Sequence, residues 1–351
     1  MDALLRYTLY RIAFSLLLIE LVLMLMCCLL IVIIKFYTKH KRKNREKEQS
    51  EIRSILDTYL LENKSLETLH IPKKIGSFQN IVESLETYDH LFTDVRWQEI
   101  KEKIVLNNLM PTIPRYAGSI FWFKRQLAAR ALLLNPKSAP KKIVESLLDD
   151  RRFLVRVAAA TCITLMSDKP LFEKAIQKMS HESPGSQFPY RDALIQVNEE
   201  KYHWIENMLT TTTDPKIQAI CLDVLATRYS GTLFPVIKPF VTSPDIQCRT
   251  LAIKALGNIP TLESKEILIH RLDDSNWTIR AEAIMSLQKL HATEAIPNLQ
   301  EALNDPIWWV RLQAALTLKG LGHDGLKILN VKRLEKDSNA HEIAQYALAI
   351  P

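Results

Sequence analysis

At residues 305–318 the chain reads DPIWWVRLQAALTL, and this stretch decides the fold. Residues 274–287 repeat its pattern as DSNWTIRAEAIMSL, 31 residues earlier. In both stretches a tryptophan stands three residues before an arginine, and an alanine and a leucine follow three and seven residues after it. Self-similarity at a fixed period of this length is typical of stacked helical repeats. The chain is therefore interpreted as an α-helical array.

The same spacing extends over most of the chain. Arginines recur on a ladder with a step of 31 residues, at Arg125, Arg156, Arg249, Arg280 and Arg311. The missing steps fall at Gln187 and Gln218, and Glu342 is the last. Only the step at Gln187 lacks a good helix start, because Pro184 and Gly185 stand there. We expect about eight repeat units over residues 95–351.

Each period divides into two helical stretches. The turn at residues 273–276, Asp-Asp-Ser-Asn, supplies cap residues between predicted helices at 262–272 and 277–290. In the next repeat, Asp305 and Pro306 predict an N-cap followed by a proline at the first helical position. One helix pair of this size cannot bury its apolar face alone. Neighbouring pairs must stack on it, which predicts a solenoid.

The two quoted stretches resemble HEAT-type repeats. They are most similar to the short HEAT-like class found in phycobilin lyases and in many bacterial adaptor proteins. The resemblance covers residues 95–351 and implies an all-α, armadillo-type solenoid that binds proteins. It implies no particular reaction.

A long apolar segment precedes the repeats. Residues 12–34 are interrupted only by the polar residues Ser15 and Glu20, and a helix of that length spans about 34 Å, enough to cross a bilayer. The apolar core of a signal peptide has roughly 7–15 residues and ends at a cleavage site with small residues. Because this stretch is longer and runs into a basic segment, we interpret it as a retained transmembrane helix.

Positive charge is concentrated beside this segment. Residues 1–47 hold nine Lys/Arg and three Asp/Glu of the chain's 46 and 39, which leaves 37 and 36 for the remainder. Only Arg6 and Arg11 precede the apolar stretch, so the positive-inside rule places the N-terminus outside and the repeats in the cytoplasm of a single-pass inner-membrane protein. The near-neutral remainder argues against a nucleic-acid partner.

These patterns divide the chain into five parts. We expect a short extracytoplasmic N-terminus (1–11), the transmembrane helix (12–34), a basic juxtamembrane segment (35–50), a helical stalk or capping region (51–94) and the repeat array (95–351). The basic segment is either a topology signal alone or a site for anionic lipid headgroups. Its candidate headgroup residues are Lys39, Lys41, Arg42, Lys43 and Arg45.

The arginine ladder has a structural interpretation. Asp150, Asp274 and Asp305 each stand six residues before a ladder arginine, and the HEAT resemblance implies that such Asp/Arg pairs tie successive turns together. Arginines held by carboxylates are not free to form an anion-binding stripe.

Two other kinds of residue are candidates for partner binding. Trp122, Trp277 and Trp308 share one repeat position with Phe153 and are expected to pack between repeats. Trp309 has mixed counterparts, so it is either a partner-binding anchor or buried against the next unit. Glu20, in the middle of the apolar segment, is either a contact for a partner's membrane helix or a group that bonds locally.

No catalytic constellation is found. His341-Glu342 resembles the His-Glu motif of deoxyhypusine hydroxylases, but the one other such pair, His181-Glu182, is about five residues out of register. The five cysteines show no disulfide or zinc pattern. We expect no enzyme activity, metal, cofactor or small-molecule substrate.

The predicted function is that of a membrane-anchored scaffold that binds proteins. The resemblance to bacterial inner-membrane HEAT-repeat proteins implies a place beside a membrane enzyme complex, such as one that assembles envelope polysaccharide. The alternatives are a HEAT-like lyase or di-iron hydroxylase, and a juxtamembrane binder of lipid or nucleic acid.

Overall fold

A computed structural model describes residues 2–62, 64–72, 75–335 and 339–350, with the backbone alone for residues 2–18. Within these residues the regular structure is entirely helical, with 19 α-helices and short 3₁₀ and π segments and no strand. The predicted all-α class is confirmed. The chain divides into two units, Met1–Ile143 and Val144–Pro351.

The first unit is built on a long first helix. Its helices are α1 (Asp2–Leu61), α2 (Phe78–Asp89), α3 (Val95–Ile104), α4 (Ile113–Ala117) and α5 (Trp122–Leu133). A π-helix at Val105–Leu109 continues α3. The boundary between the units falls inside α6 (Lys141–Leu148).

Helix α1 joins the apolar and the basic segments without a break. Residues 2–61 contain neither proline nor glycine, so nothing in them interrupts helical hydrogen bonding. The described side chains of the apolar part are exposed, whereas Ile52 and Leu56 near the other end are fully buried. The last turns of α1 thus belong to the core of the first unit and pack against α2.

The second unit is a succession of antiparallel helix pairs. Its helices after α6 are α7 (Phe153–Leu165), α8 (Lys169–Ser180), α9 (Pro184–Ile195), α10 (Glu199–Thr211), α11 (Pro215–Leu225), α12 (Phe234–Ile237), α13 (Ile246–Leu256), α14 (Leu262–His270), α15 (Trp277–Lys289), α16 (Ile296–Ala302), α17 (Trp308–Gly320), α18 (His323–Lys332) and α19 (Asn339–Ala349). The second helices of the pairs are those with odd numbers from α5 to α19. Each begins three residues before a ladder position, so all eight start 31 residues apart.

The ladder also identifies the core. At six of the eight steps, a small side chain that is at most 1% exposed stands three residues later, and these are Ala128, Ala159, Cys221, Ala252, Ala283 and Ala314. At seven of the eight steps, a buried aliphatic side chain stands seven residues later, such as Leu256, Leu287 or Leu318. Small residues let adjacent second helices approach, and the aliphatic residues fill the space between the two helix layers.

Two helix starts differ from those predicted. Helix α9 begins normally at Pro184, because a proline in the first turn has no intrahelical N–H bond to lose. Helix α17 begins at Trp308 and not at Pro306, so Asp305 is not its N-cap. The Asp305 carboxylate instead accepts the Ile307 N–H, 2.8 Å away, and holds the turn before the helix.

Candidate functional site

The ladder arginines close the turn that precedes each second helix. In every repeat with an arginine, Nη1 donates to the backbone carbonyl six residues earlier, over 2.7–2.9 Å. A long side chain one turn into a helix leans toward the helix N-terminus and so reaches this turn. Gln218 makes the same bond to the Thr212 carbonyl, at 2.9 Å. The bonds join Arg125 to Ser119, Arg156 to Asp150, Arg249 to Ser243, Arg280 to Asp274 and Arg311 to Asp305.

Arg156 and Arg280 also bind a carboxylate of the following repeat. Nε and Nη2 of Arg280 donate to the two carboxylate oxygens of Asp305, at 2.7 and 2.9 Å. Both side chains are almost withdrawn from solvent, with 12% and 8% exposed. Arg156 donates from Nε to Oε1 of Glu182, at 2.6 Å. Each pair fastens one repeat to the next.

The Asp/Arg pairing within one repeat differs from the expected one. Asp150 and Asp274 offer their own arginines a backbone carbonyl. Their carboxylates accept the N–H two residues later, at 2.8 and 2.9 Å. The aspartate therefore shapes the turn, and the arginine binds the shaped turn.

The second His-Glu pair of the sequence is occupied by structural contacts. Glu182 holds Arg156 and accepts a hydrogen bond from the Tyr190 hydroxyl, at 3.3 Å. His181 Nδ1 lies 2.8 Å from the Gln177 carbonyl oxygen. In the described part of the chain, no three His, Cys, Asp or Glu side chains converge to hold a metal ion.

A row of apolar side chains is half exposed on the second unit. We call Ile246, Trp277, Trp308 and Trp309 the α13–α17 ridge, and these side chains are 42–49% exposed. Three of them are the first residues of α13, α15 and α17, which pack side by side. The ridge thus crosses three consecutive repeats.

Packing between repeats covers the repeat-position tryptophans only in part. Trp277 and Trp308 keep 42% and 49% of their surface exposed, and Trp122 of the first unit keeps 40%. Cα–Cβ bonds tilt toward the helix N-terminus, so a side chain at the first helical position leans off the end of the helix and only partly onto its neighbour.

Trp309 lies at one end of the ridge. It is 44% exposed, and its ring centroid is 6.3 Å from that of Trp308. Trp308 in turn meets the ring of Tyr346 on α19 edge-on, with 6.3 Å between centroids. The three rings form an exposed aromatic group on two adjacent second helices.

The predicted membrane residues lie on α1. The described part of α1 from Ile19 to Leu61 is the one described helix long and apolar enough to cross a membrane. Glu20 is exposed on it, whereas Arg6 and Arg11 lie among residues whose side chains are not described. A helix of this length and composition near the N-terminus is a membrane span or a signal sequence.

The basic segment is only partly neutralised by acidic neighbours. Arg42 pairs with Glu46 on α1, at 2.8 Å, and Arg45 pairs with Glu83 of α2. Lys39, Lys41 and Lys43 form no ion pair with the described residues and point into solvent. Three of the five candidate headgroup residues therefore carry uncompensated charge.

Polar contacts between second helices were not predicted from the sequence. Buried Ser286 donates from Oγ to the Ile253 carbonyl, at 3.1 Å, and Cys248 donates from Sγ to the Pro215 carbonyl, at 3.3 Å. Both bonds cross from one repeat to another. The sequence signal for these bonds was the presence of small polar residues inside an apolar pattern, because such residues need a hydrogen-bond partner when they are buried.

The repeats match a known family. A family model of HEAT repeats fits residues 203–288 and again residues 266–349. Residues 203–349 belong to the HEAT-repeat family. The α13–α17 ridge lies within the matched HEAT repeats. A comparison with curated protein sequences gives no significant match.

A comparison with solved structures also gives matches. The karyopherin Kap121p bound to the SUMO protease Ulp1p is similar with a TM-score of 0.55 and 13% identity, over 87% of this chain and 40% of the karyopherin. YibA of Escherichia coli gives 0.42 and 14%, over 73% and 97% of the two chains. Human deoxyhypusine hydroxylase gives 0.29 and 17%, over 71% and 96%. At these identities the likeness concerns the fold alone.

Proposed function

We propose that this HEAT-repeat protein is a membrane-anchored scaffold that binds partner proteins through the α13–α17 ridge. The observation that carries the proposal is the half exposure of Ile246, Trp277, Trp308 and Trp309 on adjacent helices. Contiguous exposed apolar surface marks interaction sites, and tryptophan is the residue most enriched among those that dominate binding energy. A karyopherin bound to a SUMO protease is an instance of this fold holding a protein.

The anchor in this proposal is the apolar part of α1. Residues 12–34 would cross the inner membrane with the N-terminus outside, and the basic segment would lie at the cytoplasmic headgroups. Because α1 continues without a break to the buried residues Ile52 and Leu56, the first unit is fixed to the anchor by a helix. Lys39, Lys41 and Lys43 are free to attract anionic lipids.

The partner in this proposal is a cytoplasmic or membrane protein. Glu20 would contact a polar group on a partner's membrane helix, since an ionisable side chain in a bilayer is costly without one. The HEAT resemblance favours a place beside a membrane enzyme complex, with envelope polysaccharide assembly as one setting. If Glu20→Leu left co-purification of every membrane protein unchanged, this role of Glu20 would be wrong.

Co-purification with ridge variants tests the scaffold. We expect Trp277→Ala/Trp308→Ala/Trp309→Ala in the full chain to lose its bound proteins from a detergent extract. The matched control, Leu262→Ala/Val331→Ala, removes apolar side chains that are 68% and 53% exposed outside the ridge and should retain them. Circular dichroism would show that both variants keep their helices. Equal recovery with both variants, or no protein above background with the wild type, would contradict the proposal.

We also propose that the scaffold has no catalytic role. Glu182, the acidic member of the second His-Glu pair, is held by Arg156 and Tyr190, so it is not free to bind iron. Elemental analysis of the purified full chain should therefore find iron far below one atom per chain. Stoichiometric iron that resists dialysis would favour the hydroxylase alternative.

A further inference from the structure

The first unit contains a cavity of about 480 Å³ between α2, the π-helix and α4. Asn107 and Asn108 of the π-helix, Thr112 and Arg115 beside and within α4, and Lys124 of α5 contribute to its wall. A cavity of this size accommodates a small organic molecule. It is separate from the α13–α17 ridge, which belongs to the second unit.

The charge of this cavity is positive and uncompensated. Arg115 and Lys124 form no ion pair with the described residues, and none of the described lining side chains is a carboxylate. His70 contributes an imidazole ring to the same wall. Two cations that face one cavity without acidic partners repel each other, and an anion between them would remove that repulsion.

Lys124 is held in place by aromatic rings. Its Nζ lies 6.0 Å from the ring centroid of Tyr116 and 5.4 Å from that of Phe121. Tyr116 is itself stacked on Phe78, with 4.2 Å between centroids. The stack fixes the lysine without neutralising it, since a ring face attracts a cation but carries no net charge.

One acceptor in the wall lacks a partner. Asn108 donates from Nδ2 to the Ile71 carbonyl, at 2.9 Å, and this bond sets the orientation of the amide. Its Oδ1 is buried and receives no hydrogen bond from the described chain. A buried unpaired amide oxygen is costly, and it would accept a hydroxyl donor from a bound molecule.

The backbone that carries the two asparagines is irregular. Val105–Leu109 is a π-helix, a rare form that is frequently found at functional sites. Gly76 also lines the cavity and is tightly packed, because an added Cβ would lie 2.8 Å from side-chain atoms of both Ile71 and Ile81. Both features shape the cavity at positions that the 31-residue ladder does not explain.

We propose that this cavity binds a small phosphate monoester that carries hydroxyl groups, such as a polyol or sugar phosphate. The cations of Arg115 and Lys124 match the two charges of a phosphate dianion. Thr112 and Ser119 offer hydroxyl donors to its remaining oxygens, and Asn108 Oδ1 accepts from a hydroxyl of the ligand. A carboxylate has fewer oxygens to satisfy these donors.

Calorimetric titration of the full chain in detergent tests the site, with glycerol phosphate and inorganic phosphate as probes and glycerol and acetate as controls. We expect glycerol phosphate to bind more tightly than inorganic phosphate, and the two controls not to bind. Arg115→Gln and Lys124→Gln should each weaken the binding of glycerol phosphate about 10- to 100-fold, the loss of one charge-assisted contact. Lys137→Gln removes an exposed lysine of the same unit outside the cavity and should leave binding unchanged.

Other results would overturn the proposal in different ways. Absence of binding to the wild type would contradict it, and so would equal weakening by all three substitutions, which indicates attraction to net charge only. Tighter binding of acetate than of either phosphate would contradict the choice of phosphate. Equal affinities for inorganic phosphate and glycerol phosphate would contradict the role of Asn108. Thermal unfolding of each variant would show whether a lost signal reflects misfolding.

Discussion

Arg280 and Asp305 fasten two HEAT repeats through two parallel hydrogen bonds between nearly buried groups. Breaking such a pair leaves a buried charge without its partner, which costs about 3–5 kcal/mol in typical cases. We therefore expect Arg280→Met to lower the unfolding free energy by about that amount. Arg249→Met is the matched control, because Arg249 is hydrogen-bonded to the Ser243 and Pro244 carbonyls and to no described carboxylate. Arg249→Met should lower the unfolding free energy by about 1–2 kcal/mol.

Urea unfolding followed by circular dichroism measures this difference. An additional variant, Arg280→Met/Asp305→Asn, removes both charges and should recover part of the stability lost in Arg280→Met. Equal losses for the Arg280 and Arg249 variants would show that the bond to the turn, and not the ion pair, carries the stability of the ladder.

The buried cysteines give a prediction about pH. Burial raises the pKa of the Cys162 thiol from an ordinary 9.0 to about 12, and it raises that of Cys221 in the same way. The folded state therefore favours the neutral thiol. Stability from these groups is complete below pH 9.0 and is lost as the pH rises toward 12, because only the unfolded chain ionises there.

Alkylation rates measure this protection. In a Cys27→Ser/Cys28→Ser background, which removes the exposed cysteines, we expect iodoacetamide to label the folded chain far more slowly than the urea-unfolded chain at pH 8. Rapid labelling of the folded chain at pH 8 would contradict the burial of these thiols.

At the level of helices, α17 and α18 approach each other closely at Gly325. A Cβ added there would lie 1.8 Å from the Leu318 carbonyl oxygen, a distance that no relaxation of a side chain relieves. Gly185 is also in the first turn of a helix, α9, but an added Cβ would meet nothing within 4 Å. The two glycines thus form a matched pair with opposite surroundings.

We expect alanine to have opposite effects at these two positions. Gly325→Ala should destabilise the chain by about 1–3 kcal/mol, because α18 must move away from α17. Gly185→Ala should stabilise it by about 0.5–1 kcal/mol, because alanine loses less backbone entropy in a helix. Thermal unfolding of the two variants measures both signs. Destabilisation by Gly185→Ala, or none by Gly325→Ala, would contradict the packing described for α9 or α18.

The sequence predicted where the helices begin better than it predicted the exposure of their side chains. All eight second helices start on the 31-residue ladder, including α9, whose prolines argued against it. The ladder gives the position of a side chain in the repeat but not how far it extends past its neighbours. Trp277 and Trp308 were expected to pack between repeats, and their place at the first residue of a helix leaves them half exposed.

The cavity between α2, the π-helix and α4 of the first unit lay outside any sequence prediction. Arg115 has no counterpart on the ladder, and Lys124, next to the step at Arg125, is separated from Asn107 and Asn108 by 16 residues or more. These side chains meet only because the π-helix and α4 turn the chain back on itself. Non-periodic contacts of this kind have no signature in a single sequence.

At the scale of the whole molecule, the proposed anchor belongs to the first unit and the proposed binding surface to the second. The basic excess lies in the first 47 residues, so the body that carries the α13–α17 ridge is close to neutral. A neutral surface with exposed tryptophans fits a protein partner better than a nucleic acid, whose binding depends on clustered cations. The central claim is that this ridge holds a protein while α1 lies in the membrane.

Photo-crosslinking in intact membranes tests that claim most directly. A photoreactive phenylalanine analogue would replace Trp309 on the ridge or, as the control, Leu262, which is 68% exposed on α14. We predict a discrete crosslinked protein from position 309 in the membrane fraction, absent from position 262 and lost when Trp277 and Trp308 are also changed to alanine. The same products from both positions, or none from position 309, would contradict the account.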